Sequence, residues 1–512
     1  MRCVTTALAL LLAATAAACG GDTAAPSAAG DALGYLPKDA GLVVLAPTDF
    51  ESEQWERFDR QIFRRFGQGS LENALEQAVE REGLSYEEDV KPLLGNDLVF
   101  GTLGETGDLV GGDGDRAFVT ALEVTDADRA RGTLEKAGFE RLGEESGAVL
   151  YGNGDGEVAA VEGDVVVGAE DEETLRRALA IRDGGEALTA EDVEAKLVDL
   201  PDDALVRAFG DVEDLGGSEQ LSKFRSVPWV AAIRSFGVVV SMPEDDALNV
   251  DAAVVTDPDG LEAEDLPLAV GDEAPEIVPR EDEISGGNRD QSRTTVFLLR
   301  ALRTAYPDSR FVRAVADIES ELGIDFEQEI LRQFNGPSAS YVSSDGSIFA
   351  ARSEVRDPEA LRNVLPKIAP HLPALIEGLQ GLQSEGMALL FLLAPDAPAA
   401  APLERVRVDP PPTDDGFYRV SGLTGDGPSE LYFNVVDDLF VVASDEQRAR
   451  EIAGADTVAV DGARGAGVLR VDLTELDRAE AGFLVPIGAR ELVASVEASL
   501  ERLRVRVRIA LE

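Results

Sequence analysis

The apolar positions of this chain follow three patterns, each predicting a different element. Near the start, Ala7 to Ala18 is an almost unbroken run of Ala and Leu behind Arg2. It is shorter than the roughly 20 residues that a permanent membrane-spanning helix needs, and it runs straight into Cys19. In QWERFDRQIFRRF, Trp55, Phe58, Ile62 and Phe66 recur at helical spacing, which predicts an amphipathic helix with a core-facing stripe. At the far end, Arg502, Arg504, Arg506 and Arg508 alternate with Leu503, Val505, Val507 and Ile509. That period of two predicts a half-buried strand, Arg502 to Leu511, whose arginines meet acidic neighbours on adjacent strands.

Longer stretches recur in the same order. VEREGLSYEEDVKPLLG, from Val79, matches IESELGIDFEQEILRQFNG, from Ile318: a helix ending at Gly83 or Gly323, a short acidic helix, then a strand at Asp97–Leu103 or Ser338–Ser343. TDADRARGTLEKAG, from Thr125, matches RDPEALRNVLPKIA, from Arg356, with Asp126 and Asp357 placed to cap the helix that follows. EVAAVEGDVVVGAEDEETLRRAL, from Glu157, matches ELYFNVVDDLFVVASDEQRAREIAG, from Glu430. Each of the last pair reads as strand, acidic turn (Gly163-Asp164 or Asp437-Asp438), strand and capped helix.

These matches predict an α+β fold: an internal duplication of two related units with largely antiparallel sheets and packed helices. The units are expected at 32–256 and 294–512, with a linker at 257–293 rich in Pro, Gly and acidic residues. The first ends in strands at Phe236–Ser241 and Leu248–Thr256. The second is expected to end in a helix near Ala489–Leu500 and then the arginine strand. It also carries an insertion near 370–412, an apolar helix-like stretch (Pro370 to Ala394) followed by a Pro-rich loop.

Composition narrows the chemistry. Ninety-eight acidic residues against 46 basic ones give a net charge of −52, the wrong sign for nucleic acid or for general attraction to anionic lipid. The cysteines are Cys3 and Cys19, so the body offers no disulfide, thiolate nucleophile or cysteine metal site. The single histidine, His371, lies between Pro370 and Pro373 and is expected in a loop. One histidine excludes a three-histidine or Cys-His zinc centre within one chain. Gly111-Gly112-Asp113-Gly114-Asp115 and Gly152-Asn153-Gly154-Asp155-Gly156 read as hairpin turns, because neither has dinucleotide, phosphate-loop or calcium-loop spacing. No catalytic residue, metal site or cofactor is assigned. A carboxylate-dependent hydrolase is the third choice of function, since carboxylates this numerous single out no pair.

Ala16-Ala17-Ala18-Cys19, followed by Gly20-Gly21-Asp22, resembles the bacterial lipobox, departing from it at Ala16, where Leu, Val or Ile is commoner. The resemblance implies a signal peptide at 1–18, lipidation of Cys19 and a flexible tether over 19–31. LGYLPKDAGLVVLAPTDF, from Leu33, and GIDFEQEILRQFNGPSASYV, from Gly323, resemble the domain of unknown function 3352 family of high-GC bacteria, over most of 32–512. That family implies an exported or membrane-attached protein with no established activity.

The expectation is a lipoprotein anchored on the extracytoplasmic face of the cell membrane. It would be non-enzymatic, binding or scaffolding an envelope protein partner. The alternative is a carrier or sensor for an apolar, lipid-like ligand, with Leu372 to Ala394 as a lid and Phe391 and Leu392 as ligand contacts.

Overall fold

The computed structural model describes residues 30–63, 70–104, 117–212, 223–280, 283–384, 406–413, 416–423, 428–474 and 488–512. The first half contributes ten strands: β1 (Val43–Pro47), β2 (Asp97–Thr102), β3 (Phe118–Glu123), β4 (Glu140–Glu145), β5 (Ala148–Gly152), β6 (Val158–Glu162), β7 (Val165–Ala169), β8 (Val206–Asp211), β9 (Ile233–Glu244) and β10 (Ala247–Thr256). Every pairing is antiparallel, in the order β4-β5-β6-β7-β3-β2-β1-β8-β9-β10.

The second half contributes β11 (Glu283–Asn288), β12 (Ser338–Ser343), β13 (Phe349–Glu354), β14 (Arg407–Asp409), β15 (Tyr418–Ser421), β16 (Glu430–Val436), β17 (Leu439–Ala443), β18 (Gly467–Asp472), β19 (Ala489–Ala498) and β20 (Arg502–Leu511). Their order is β14-β15-β16-β17-β13-β12-β11-β18-β19-β20, again antiparallel throughout and the same as in the first half. The two last strands, β10 and β20, pair with each other over nine register positions, so the described strands form one continuous sheet.

Twelve α-helices cover this sheet among the described residues: α1 (Glu53–Phe58), α2 (Leu71–Arg81), α3 (Ala127–Lys136), α4 (Glu172–Gly184), α5 (Ala190–Lys196), α6 (Pro228–Ala231), α7 (Gln291–Ala305), α8 (Arg310–Leu322), α9 (Phe326–Glu329), α10 (Pro358–Ile368), α11 (Leu372–Ser384) and α12 (Glu446–Ala453). Local sequence starts many of them. Asp126 accepts from the Arg129 N–H at 3.0 Å and Asp357 from the Ala360 N–H at 2.9 Å. Asp171 and Asp445 cap α4 and α12 in the same way, at 2.7 and 2.8 Å. Each such oxygen satisfies a backbone donor that the helix itself leaves open, worth about 1 kcal/mol. Gly83 and Gly323 follow α2 and α8 with φ of +76° and +67°, a region that an L side chain enters only with strain.

The cores cross the boundary between the halves. Trp55, Phe58, Leu71, Leu75 and Val79 of α1 and α2 pack with Leu98, Met242 and Leu248, and equally with Val471, Leu492, Val507 and Ile509 from the second half. Trp55 and Phe58 are about 1 % exposed. At roughly 2–3 kcal/mol for each large apolar side chain fully buried, the second-half residues of this cluster, Leu473, Ile509 and Leu511 above all, contribute substantially to holding the halves together. Reciprocally, Phe297, Ala301 and Leu302 of α7 pack with Trp229 and Val230 of α6 and with Leu503 of β20.

Two expectations are corrected. Ala489–Ala498 is strand β19, paired on both sides, and not a helix. Its mixed apolar pattern suits either period, and hydrogen-bonding neighbours on both edges decide in favour of the strand. Within 257–293, β11 occupies Glu283–Asn288 and α7 begins at Gln291. Gly286 and Gly287 made that stretch look like a connector. A Cβ at Gly287 would stand 2.7 Å from the Glu276 carbonyl oxygen, so the glycine permits close backbone approach inside a true strand.

The sheet ends differently at its two edges. β4 is a mostly exposed, acidic strand (ERLGEE) with a register irregularity between Arg141 and Gly143, and β14 is only three residues long. Part of the apolar insertion is α11. It lies along α8, with Leu375 buried and the Cβ position of Gly378 only 2.6 Å from the Phe311 backbone. Gly378→Ala should therefore destabilise the protein by about 1–3 kcal/mol through overpacking. Gly132→Ala on α3, where nothing lies within 4 Å of the added methyl, should stabilise it by about 0.5–1 kcal/mol. Urea unfolding of the two variants should give shifts of opposite sign.

Candidate functional site

Arginine is the scarcer charge here, so the places where arginines converge are the informative ones. The first is the face of β20 that points away from the α1–α2 core. Arg504 donates to Asp251 of β10 at 2.9 Å, and Arg506 donates to Glu497 of β19 at 2.6 Å while lying 3.6 Å from Asp251. Arg508 reaches Glu244 of β9 at 3.3 Å, and Arg502 pairs with Asp199. Arg504 and Arg506 thus meet acidic partners on the adjacent strands, as the alternation predicted, whereas Arg508 reaches across to β9 and Arg502 to Asp199 in the segment between α5 and β8.

The second place is a cleft of about 350 Å³ where α6, the turn Ala263–Asp265 and α7 meet. Val227, Pro228, Phe297 and Ala301 supply apolar lining, while Glu264, Asp265, Arg300, Arg303 and Thr304 supply polar groups. Arg300 and Arg303 lie on one face of α7 by their i, i+3 spacing. Behind the cleft, Arg300 holds Glu327 of α9 with a two-pronged contact, Nε at 3.0 Å and Nη2 at 2.7 Å. Arg332 donates to the same carboxylate at 3.0 Å, and Glu264 lies 3.6 Å from both guanidinium groups. Arg303 is paired with Glu319 at 2.8 Å.

The hydrogen bond from Arg300, assisted by Arg332, holds the Glu327 carboxyl below the ordinary Glu value although burial opposes it. A carboxylate so stabilised is a poor base near neutral pH. The Thr304 hydroxyl donates to the Arg300 carbonyl at 2.8 Å. The cleft thus combines an apolar lining with arginines that are already paired to carboxylates.

Deeper in the sheet, Arg207 of β8 donates to Asp97 of β2 at 2.6 Å. Burial nevertheless raises the Asp97 carboxyl above its usual range, with Arg207 opposing. Tyr86 is also buried, which pushes its phenol up to about 12.

Cys19, Phe391 and Leu392 lie outside the described residues, as do Phe66 and Gly111 to Asp115. His371 sits, half-buried, in the turn Ala369–His371 between α10 and α11. Asn153 to Gly156 belong to the turn joining β5 and β6, where Asn153 donates to Glu157 at 2.9 Å. Among the described residues there is no group of three or more His, Cys, Asp or Glu arranged to hold a metal ion, and no helix is long and apolar enough to cross a membrane. Sequence reading missed the cleft, because Glu264, Arg300, Glu327 and Arg332 look like any other charges until the fold gathers them.

A family model described as "Protein of unknown function (DUF3352)" matches residues 3–351, which includes both segments that carried the resemblance and stops within β13. No curated protein matches the chain. Among solved structures, crystal form I of TP0453 is similar at 8 % identity and a TM-score of 0.25, covering 44 % of this chain and 77 % of that one. Crystal form III of TP0453 gives 9 % and 0.24, over 46 % and 80 %.

The Glu327 network has a definite pH signature. A carboxyl whose folded pKa is lowered contributes stability above its unfolded pKa and loses it as the pH falls through the folded value. Glu327→Gln should cost about 1 kcal/mol at neutral pH, because Arg300 and Arg332 are partly exposed and keep Glu264 at 3.6 Å. It should also flatten the loss of stability expected of the wild type as the pH falls below about 4.5, the ordinary Glu value. Denaturant melts across that range measure both effects.

Proposed function

The chain belongs to the DUF3352 family of proteins of unknown function, and from that premise we propose that it is an envelope lipoprotein that binds or scaffolds a partner without turning over a substrate. The observation that carries the reading is how firmly the residues that follow the tether-like stretch are built into the body. Ala32, Leu33 and Tyr35 are fully buried in the first turn of the body. Arg182 of α4 grips Asp31 by its carboxylate and by its carbonyl, each at 3.0 Å, and the Tyr35 hydroxyl donates to Glu162 at 2.7 Å. The thirteen residues from Cys19 to Asp31 can reach no further than about 45 Å when fully extended. A lipid on Cys19 would therefore keep the first half close to the membrane surface, while the net negative charge discourages the body from lying on anionic headgroups.

The same strand order in the two halves, with matching caps on α3 and α10 and on α4 and α12, supports an origin by duplication of one α+β unit. The scaffold role is favoured by how the polar side chains at the cleft and on β20 are engaged: they brace the fold and leave shape and charge as the means of recognition. The apolar-carrier alternative draws less support, because the described part of the supposed lid, α11, is packed tightly on α8.

Metabolic labelling with a clickable palmitate, followed by fractionation, tests the anchor. The wild type should be labelled and sediment with membranes, whereas Cys19→Ser should lose the label and be released; a labelled variant, or an unlabelled soluble wild type, would refute it. Cross-linking on intact cells and native mass spectrometry of the purified body then test the role. A reproducible stoichiometric protein partner supports scaffolding, and a bound mass removed by organic solvent turns the assignment to a carrier.

A further inference from the structure

β10 and β20 are both ten residues long, and each is the last strand of its half. Asp251 is the fifth residue of the first and Arg506 the fifth of the second, and these two are register partners. The approximate twofold relating the halves therefore passes between Asp251 and Arg506. Around that point the facing residues are unlike. Arg504 stands opposite Ala253, Arg506 opposite Asp251, and Arg508 opposite Asn249. Long cations on one strand meet small, polar or acidic residues on the other.

A twofold seam between similar strands has a built-in competitor, the pairing of like with like between two molecules. Were two copies to join through their β20 strands about the same centre, Arg506 would face Arg506 and Arg504 would face Arg508. Were they to join through β10, Asp251 would face Asp251. Like charges directly opposite on adjacent strands are destabilising, and the Arg504 and Asp251 side chains are only 16 % and 12 % exposed, so solvent screens them poorly.

We propose that the arginine face of β20 is a pairing-specificity element: it directs β20 to the β10 edge of the first half and against the β20 edge of a second copy of this chain. The apolar faces discriminate only weakly, differing in size at positions such as Ala252 and Val507. Leu248 and Val250 on β10 correspond in position to Leu503 and Val505 on β20, so burial alone would tolerate either pairing. Selection against the wrong partner then falls to the charged face. This inference rests on strand register, and stands or falls separately from the envelope role.

Refolding the chain from residue 20 onward out of urea, over a range of concentrations, with molar mass read by light scattering, tests it. The wild type should return as monomer. Replacing the three arginines together (Arg504→Gln, Arg506→Gln, Arg508→Gln) should raise the dimer fraction roughly tenfold at equal concentration. Refolding to monomer in the wild-type proportion would overturn the proposal, as would a wild type that already exchanges halves. Should the triple variant fail to fold, a charge-reversal pair decides. Asp251→Arg should lower the monomer yield, and adding Arg506→Asp should recover it; a double variant no better than the single one would overturn the proposal.

Discussion

The backbone pairing between β10 and β20 is the interaction on which the rest depends. Without it each half is a ten-stranded sheet with a long exposed edge, and the α1–α2 core loses Val507 and Ile509. With it, the apolar side of the seam is covered by helices from both halves and the polar side is filled by arginine–carboxylate contacts. The charged contacts add less to net stability than their number suggests, since bringing them out of water offsets much of the attraction. Their distinctive effect is on which strands may meet.

The charge balance takes on a structural sense in this light. With 46 basic residues against 98 acidic ones, arginines are few relative to carboxylates, and many are gathered where the fold turns inward: along β20, behind the cleft at Glu327, and at Asp97. The acidic excess is correspondingly left to the outside. Salt should thus act on two populations in opposite senses, relieving repulsion at the surface while weakening whatever attraction solvent can reach within.

Local signals were legible in the sequence and nonlocal ones were not. Asp126 and Asp357 cap their helices because a carboxylate at that position needs only its own next turn. The Gly163-Asp164 and Asp437-Asp438 turns close hairpins for the same reason, and the arginine alternation fixed the face of β20 before any partner was known. By contrast, Ala489–Ala498 carries a pattern compatible with either period, and only β18 and β20 on its flanks make it a strand. β11 was hidden by Gly286 and Gly287, and the role of Gly287 is to admit the Glu276 backbone, a contact no local window contains. The cleft was invisible for a stronger reason: its groups come from α6, α7 and the turn before β11, and their identity as a site is wholly a product of folding.

The position of β20 also bears on the order in which this molecule can be completed. Arg504 and the carboxylate it holds are 253 residues apart in the chain, and β20 helps to seal the core around Trp55. A chain emerging from its N-terminus carries that aromatic cluster without its β20 cover until β20 has been made. Pairings of such sequence separation form slowly, because a large loop must close before any contact rewards it. The interval before closure is the period of greatest exposure to proteases and to neighbouring chains, and loss of β20 would extend it indefinitely.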